Sequence, residues 1–128
     1  MELSFPKNEK LKSKKVFEQL FKEGRQLKKY PLKLIYLNVA HEEPVKVKVA
    51  VVAPKRSFKS AVTRNRIKRL LRESYRLNKP LIFNNIEGKF AFVFLYLGKE
   101  EPHFKDVEEK MRVLLELFLK KQSYGQVR

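Results

Sequence analysis

The sequence of 128 residues contains no cysteine and no tryptophan, and only four glycines. Without cysteine the chain has no disulfide framework, no thiolate metal site and no cysteine nucleophile, which fits a reducing cytoplasm. No run of about 18 apolar residues occurs, and the N-terminal segment lacks the apolar stretch of a signal peptide. We therefore expect a cytoplasmic protein that neither spans a membrane nor is secreted through a signal peptide.

Acidic residues are also scarce. The 14 Asp and Glu residues oppose 30 Lys and Arg residues, which gives a formal net charge of +16 at pH 7. The excess is concentrated in two segments, because residues 1–34 carry a net charge of +6 and residues 55–79 carry +9. Charge that served only solubility would be spread along the chain with both signs mixed. The distribution indicates a binding surface for a polyanion, of which nucleic acid is the commonest.

The hydrophobic pattern predicts a single two-layer α+β domain, since 43% hydrophobic residues suffice for a core. Periodicity predicts three helices and three strands, in the order helix 14–23, strand 31–39, strand 45–53, helix 60–77, strand 90–97 and a helix from 104. An extra strand in the first half would give a mixed sheet of about four strands. We expect the first two strands to pair as an antiparallel hairpin, and the second strand, second helix and third strand to form a crossover unit.

Other boundaries follow from local signals. Pro80 is predicted to close the second helix, because proline lacks the N–H that continues a helix. Ser13 and Gly24 are the predicted cap and stop of the first helix. Residues 1–10 are predicted to be a loose N-terminal arm and residues 122–128 a loose C-terminal tail.

The helix predicted at residues 60–77 has one apolar face, around Ile67, and one cationic face. The side opposite Ile67 carries Asn65, Arg69, Arg72 and Arg76, with Arg66 and Lys68 on its flanks. A solvated face normally places Glu at i,i+4 to its cations, whereas here Glu73 alone offsets the repulsion. Guanidinium groups match paired phosphate oxygens, so we expect the counter-charge to come from a nucleic acid. The candidate contacts are Lys55, Arg56, Arg64, Asn65, Arg66, Lys68, Arg69, Arg72 and Arg76.

Aromatic residues are interleaved with the basic residues of the first segment: Phe17, Phe21, Tyr30 and Tyr36. Such rings can stack on the bases of a single-stranded nucleic acid while nearby lysines follow the backbone. Two Phe residues at i,i+4 on a helix are more often part of a core. From the residues alone, the core interpretation is favoured.

Residues suited to covalent catalysis are few. His41 and His103 share no metal-ligand spacing with carboxylates, and no glycine-rich phosphate loop or nucleophile elbow occurs. The acidic residues between positions 100 and 109 are explained more simply as the solvated start of a helix. We therefore expect this chain to do no covalent chemistry itself.

Residues 61–76, with the sequence AVTRNRIKRLLRESYR, closely resemble the signature of the bacterial ribonuclease P protein subunit. The N-terminal pattern of Leu11, Phe17, Phe21 and Gly24 resembles the same family, as do the chain length and the order of elements. The resemblance extends to about residue 121. It implies a fold similar to a ribosomal protein domain, with a left-handed crossover, against the general preference for right-handed ones.

The resemblance also implies a function. Members of this family are the protein partners, one per RNA, of a catalytic RNA that removes the 5′ leader from precursor tRNA, using Mg²⁺ bound mainly by the RNA. Lys55, Arg56 and the cationic residues of helix 60–77 match the RNA-binding motif. Phe17 and Phe21 match aromatic positions of a cleft that holds the leader, and Tyr36 is expected to line the same cleft. No membrane partner is implied.

One segment departs from the family pattern, and three alternative functions stay open. Many members have Ser-Lys-Lys and a glycine-containing turn, whereas residues 54–60 of this chain contain no glycine. Composition is equally compatible with a ribosomal or other structural RNA-binding protein. A DNA-binding module is disfavoured, because a strand and not a short helix precedes the basic helix. A self-sufficient nuclease would need a metal or acid-base site that the sequence does not reveal.

Overall fold

The structure, a computed structural model, describes residues 9–39 and 45–127. In chain order its elements are α1 (Lys14–Glu23), β1 (Arg25–Lys29), β2 (Leu32–Asn38), β3 (Val47–Val52), α2 (Ala61–Phe83), β4 (Phe90–Tyr96) and α3 (Phe104–Val127). The four strands form one mixed sheet in the order β1-β2-β4-β3. The predicted α+β class and the additional strand are both confirmed. No helix within the described ranges has the length and apolarity needed to cross a bilayer.

One of the two interior strands of the sheet is β4, whose sequence is apolar on both faces. It pairs antiparallel with β2 on one side and parallel with β3 on the other, and α2 connects the two parallel strands. The predicted crossover unit is therefore confirmed. The predicted hairpin between strands 31–39 and 45–53 is wrong, because β4 lies between them. The hairpin partner of β2 is β1, which is the additional strand.

The two faces of the sheet are covered differently. On the face that we call the aromatic face, α2 and α3 pack over the sheet. The centroid of the Phe118 ring lies 4.9 Å from that of Tyr36, 5.0 Å from that of Phe92 and 5.1 Å from that of Phe90, and all three contacts are edge to face. On the opposite face, which we call the α1 face, Leu20 of α1 packs against a smaller aliphatic cluster. The large core therefore lies on one side of the sheet.

The first helix has the predicted bounds. The hydroxyl of Ser13 accepts a hydrogen bond from the Val16 N–H at 3.2 Å, and the Gly24 N–H donates to the Leu20 carbonyl at 2.8 Å. A Cβ atom at Gly24 would lie 2.4 Å from that carbonyl oxygen and 2.7 Å from a methyl carbon of Ile35. Glycine is required here because the chain passes directly from helix to sheet with no space for a side chain.

The second helix is longer than predicted, since it continues through Pro80 to Phe83. Proline removes one backbone hydrogen bond, but Ile82 is fully buried in the core and Leu81 packs against it. The ammonium group of Lys46 also donates to the Phe83 carbonyl at 2.7 Å, where a cation favours the negative end of the helix dipole. Tertiary packing therefore overrides the local signal.

Described residues at both ends of the chain, within or next to the segments predicted to be loose, belong to the folded domain. Residues 1–8 lie outside the described residues, but Glu9 and Leu11 are buried, and the Leu11 N–H donates to the Val49 carbonyl at 2.9 Å. At the other end, α3 continues to Val127, through most of the segment for which a loose tail is predicted.

Candidate nucleic-acid interface

The turn that leads into α2 is built without glycine. The carbonyl of Pro54 accepts hydrogen bonds from the N–H groups of Ser57 and Phe58, and the Phe58 side chain is buried in the core. Ser60 then caps α2, with its hydroxyl accepting from the Thr63 N–H at 3.3 Å. Between these anchors Lys55 and Arg56 are exposed, as required for contact with a nucleic acid.

Three of the predicted contact residues are engaged within the fold. Nη1 of Arg64 donates to the carbonyls of Phe58 and Lys59, both at 2.9 Å, so this side chain braces the turn before the helix. Arg66 forms an ion pair with Glu101 across the domain. Arg76 donates to Glu73 at 2.9 Å, and its side chain is only 17% exposed. These three cations are less available to an external polyanion than the sequence suggests.

The other predicted contact residues of α2 are differently placed. Asn65 and Arg69 are exposed, and Lys68 and Arg72 are half-buried. Within the ranges that the structure describes, no carboxylate forms an ion pair with Lys68, Arg69 or Arg72. Their mutual repulsion is therefore not relieved inside the protein. We call this cationic surface the helix surface, and it consists of Lys55, Arg56, Asn65, Lys68, Arg69 and Arg72.

The predicted aromatic cleft corresponds to the α1 face. Leu20 is buried beneath α1, Phe17 is half-buried in the same aliphatic cluster, and Phe21 is 54% exposed. The helix α1 packs over β2 and β4. Towards β3, the side chains of Ala50 and Val52 on this face stay half-buried. We call this partly covered region, with the two Phe residues at its border, the α1 cleft.

The prediction for Tyr36 is wrong. Alternate residues of a strand face opposite sides of a sheet, and Ile35 occupies the α1 face. Tyr36 lies on the aromatic face, where it is 5% exposed and packs against Phe118. Burial raises the pKa of its hydroxyl, and the smaller effect of the Arg25 guanidinium lowers it. Tyr36 is a core residue and takes no part in the α1 cleft.

Sequence reasoning missed cations that lie beside these surfaces. Lys33 is two residues before Ile35 on β2, so its side chain lies on the same α1 face. In the sheet register it is the partner of Leu95. Lys10, at the end of the segment predicted to be a loose arm, and Lys12, just after that segment, are exposed next to β3. Strand parity could have identified Lys33. Nothing local in the sequence indicates that residues 9–12 pack on the domain.

Comparison with known proteins supports the resemblance found in the sequence. A family model described as Ribonuclease P matches residues 5–118. The ribonuclease P protein component of Porphyromonas gingivalis is 36% identical over 110 residues, which span 83% of this chain and 80% of the relative. That of Chlorobaculum tepidum is 38% identical over 128 aligned residues, covering 91% of this chain and 83% of the relative.

Solved structures agree in fold. The RNase P protein from Thermotoga maritima superposes with a TM-score of 0.68 at 26% sequence identity, covering 85% of this chain and 96% of that one. The RNase P protein of Staphylococcus aureus, at 17% identity and a TM-score of 0.69, shares the fold over 86% of this chain and 94% of its own. Fold, family model and relatives agree, and the chain belongs to the ribonuclease P protein family.

Proposed function

We propose that this chain is the RNA-binding subunit of ribonuclease P, which binds the catalytic RNA and the 5′ leader of precursor tRNA. The proposal rests on the helix surface, where Lys68, Arg69 and Arg72 have no ion-pair partner among the described residues. It also rests on the membership of the chain in the ribonuclease P protein family. The phosphodiester cleavage that forms the mature tRNA 5′ end is assigned to the RNA.

The helix surface is suited to the catalytic RNA. Arg and Lys side chains that neutralise phosphates release condensed counterions, so binding weakens steeply as salt is added. Lys55 and Arg56 extend the cationic surface beyond the start of α2, while the brace by Arg64 holds their turn in place. The folded domain therefore presents its charge in a fixed arrangement, which reduces the entropy lost on binding.

The α1 cleft is suited to the leader. Phe21 offers an exposed ring, Phe17 a half-exposed one, and Lys33 lies on the same face of the sheet. Unpaired bases stack on such rings while a nearby cation accompanies the backbone. Binding the leader away from the scissile bond would improve recognition of precursor over mature tRNA, because only the precursor carries this segment.

We assign the Mg²⁺ that the family resemblance implies mainly to the RNA. Within residues 9–39 and 45–127, no three His, Asp or Glu side chains come together as metal ligands. The protein lowers repulsion between phosphates of the complex, which would allow the RNA to bind Mg²⁺ at lower concentration.

The test is reconstitution with the ribonuclease P RNA of the same organism at low Mg²⁺. We expect the protein to stimulate cleavage of precursor tRNA, and the protein without RNA to leave it intact. Cleavage by the protein alone would show a self-sufficient nuclease. Lack of stimulation, together with capture of ribosomal RNA from cells, would identify a structural RNA-binding protein and contradict the proposal.

A further inference from the structure

A groove of about 180 Å³ lies at the outer edge of β3, between α2 and residues 10–12. Its walls are residues 10–12, residues 49–51 and Arg72. Three of these residues carry positive charge, Lys10, Lys12 and Arg72, and none carries negative charge. Drug-sized ligands occupy pockets of about 300 to 1,000 Å³. The smaller groove suits one charged group of a longer molecule.

The strand edge that forms the floor of the groove contributes a backbone donor. The Phe90 N–H donates to the Lys46 carbonyl at 2.8 Å. The backbone N–H and C=O groups of even-numbered residues along β3 therefore point towards β4. The backbone groups of odd-numbered residues point to the outer edge of the sheet, as the hydrogen bond from the Leu11 N–H to the Val49 carbonyl confirms. The N–H of Val51 therefore points to the outer edge. This N–H is therefore a candidate donor to an acceptor in the groove, beside the cations of its walls.

The wall formed by residues 10–12 is held on both sides. Glu9 is 6% exposed, and its carboxylate accepts hydrogen bonds from Nζ of Lys79 at 3.0 and 3.2 Å, which fixes the segment to α2. Leu11 is buried in the aliphatic cluster of the α1 face. Lys10 and Lys12 flank this anchor and are exposed. The groove is consequently a built feature of the domain, with Lys10 and Lys12 on a wall that is anchored on both sides.

We propose that this groove binds a single phosphodiester group of the RNA backbone, through Lys10, Lys12, Arg72 and the N–H of Val51. The inference rests on the proposed function and adds a third contact to it. Arg72 belongs to the helix surface, whereas Leu11 belongs to the α1 face. A nucleotide chain that passes from one surface to the other therefore meets a phosphate site at the strand edge between them.

The test compares two double variants of equal charge. Lys10→Ala/Lys12→Ala removes the cations of the groove, whereas Lys105→Ala/Lys120→Ala removes two exposed lysines of α3. All four side chains are exposed, so both variants should fold, as circular dichroism would verify. For each we measure the slope of log Kd against log salt concentration, first with ribonuclease P RNA and then, for the reconstituted holoenzyme, with precursor and mature tRNA.

Loss of one phosphate contact reduces the magnitude of this slope by about 0.9 for a duplex and about 0.7 for a single strand. We expect that reduction for Lys10→Ala/Lys12→Ala relative to the α3 control. A change with ribonuclease P RNA assigns the phosphate to the catalytic RNA, and a change confined to precursor tRNA assigns it to the leader. Slopes equal to those of the α3 control with every RNA would overturn the proposal.

A double-mutant cycle tests whether Arg72 shares the site. We expect the effect of Lys10→Ala/Lys12→Ala to shrink in an Arg72→Ala background and to persist in an Arg69→Ala background, because groups that contact one phosphate are not additive. Equal effects in both backgrounds would show that Arg72 does not contact the same phosphate as Lys10 and Lys12.

Failure of this inference is distinguishable from failure of the proposed function. A wild-type protein that neither binds ribonuclease P RNA nor stimulates cleavage contradicts the function as a whole. A wild-type protein that does both, with lysine variants that match the α3 control, contradicts the groove alone.

Discussion

The aromatic face and the α1 face of the same sheet differ in how completely they are covered. Two long helices close the aromatic face, and its rings from β2, β4 and α3 pack edge to face with almost no exposure. The ten-residue α1 covers only part of the other face, where aliphatic side chains of β3 and β4 stay half-buried. One side of the sheet therefore supplies most of the stability, and the other keeps apolar surface available to a ligand.

The comparison explains why two groups of aromatic residues behave differently. Phe92 and Phe118 have neighbouring rings on several sides, so their burial contributes to the free energy of folding. Phe17 and Phe21 lie on a short helix with few ring neighbours, and Phe21 is mostly in solvent. Loss of the first kind of ring should lower the free energy of unfolding, and loss of the second kind should weaken binding.

The largest expected effect is on the aromatic face. Phe92→Ala removes a fully buried ring that contacts Tyr75, Phe94 and Phe118, and truncations of this kind cost about 3–5 kcal/mol. We expect that loss in the free energy of unfolding, measured by urea denaturation. Phe21→Ala is the matched control on the other side of the sheet, and a comparable loss there would contradict the assignment of stability to the aromatic face.

The second prediction concerns the α1 cleft. Phe17→Ala should weaken the holoenzyme's affinity for precursor tRNA by about 1–3 kcal/mol, the range observed for one base stacked on an aromatic side chain. Affinity for mature tRNA, which lacks the leader, should not change. Equal losses for the two tRNAs, or a large fall in melting temperature, would instead place Phe17 in the core.

The third prediction uses alkaline pH to probe the aromatic face. Burial of Tyr75 raises the pKa of its hydroxyl, and the nearby Glu9 carboxylate raises it further. The unfolded chain loses this proton near pH 10, whereas the folded protein keeps it. The stabilisation is therefore complete below pH 10 and is lost above it, at about 1.4 kcal/mol per pH unit. Urea unfolding at several pH values should show a shallower fall in the free energy of unfolding for Tyr75→Phe than for wild type, and an identical fall for the two proteins would contradict the prediction.

The smallest expected effect separates available from engaged cations on α2. Arg69→Ala should reduce the magnitude of the salt slope for ribonuclease P RNA by about 0.9, because one phosphate contact is lost. Arg66→Ala should reduce it less, since Arg66 already pairs with Glu101. Filter binding at several salt concentrations measures both slopes. If Arg66→Ala had the larger effect, the ion pair would have to open in the complex.

Local signals predicted much of the fold. The bounds of α1 were predictable because Ser13 and Gly24 act within one turn of the helix ends. The β3-α2-β4 unit was predictable because the hydrophobic period changes from 2 to 3.6 and back. The hairpin error has a different origin. Which strand lies beside β2 is decided by burial of β4 on both faces, a property of the assembled sheet that neighbouring residues do not encode.

The errors at the site are also physical. A shift of one residue moves a strand side chain to the other face, and Tyr36 was assigned to the wrong one. Helix projection identified the cationic face of α2, but it could not show that Glu101, 35 residues away, neutralises Arg66. Nor could it show that Arg64 turns back to carbonyls of the preceding turn. Partners distant in sequence decide which cations remain available.

The position of β4 has a consequence for how the protein is made. During synthesis β1, β2 and β3 leave the ribosome first, but β2 and β3 are joined only through β4, which ends at Tyr96. Until then β3 and the basic α2 have no strand to attach them to the hairpin. The sheet therefore closes late, through contacts between residues far apart in sequence, and such contacts slow folding. During that interval the cationic helix is present on an incomplete domain.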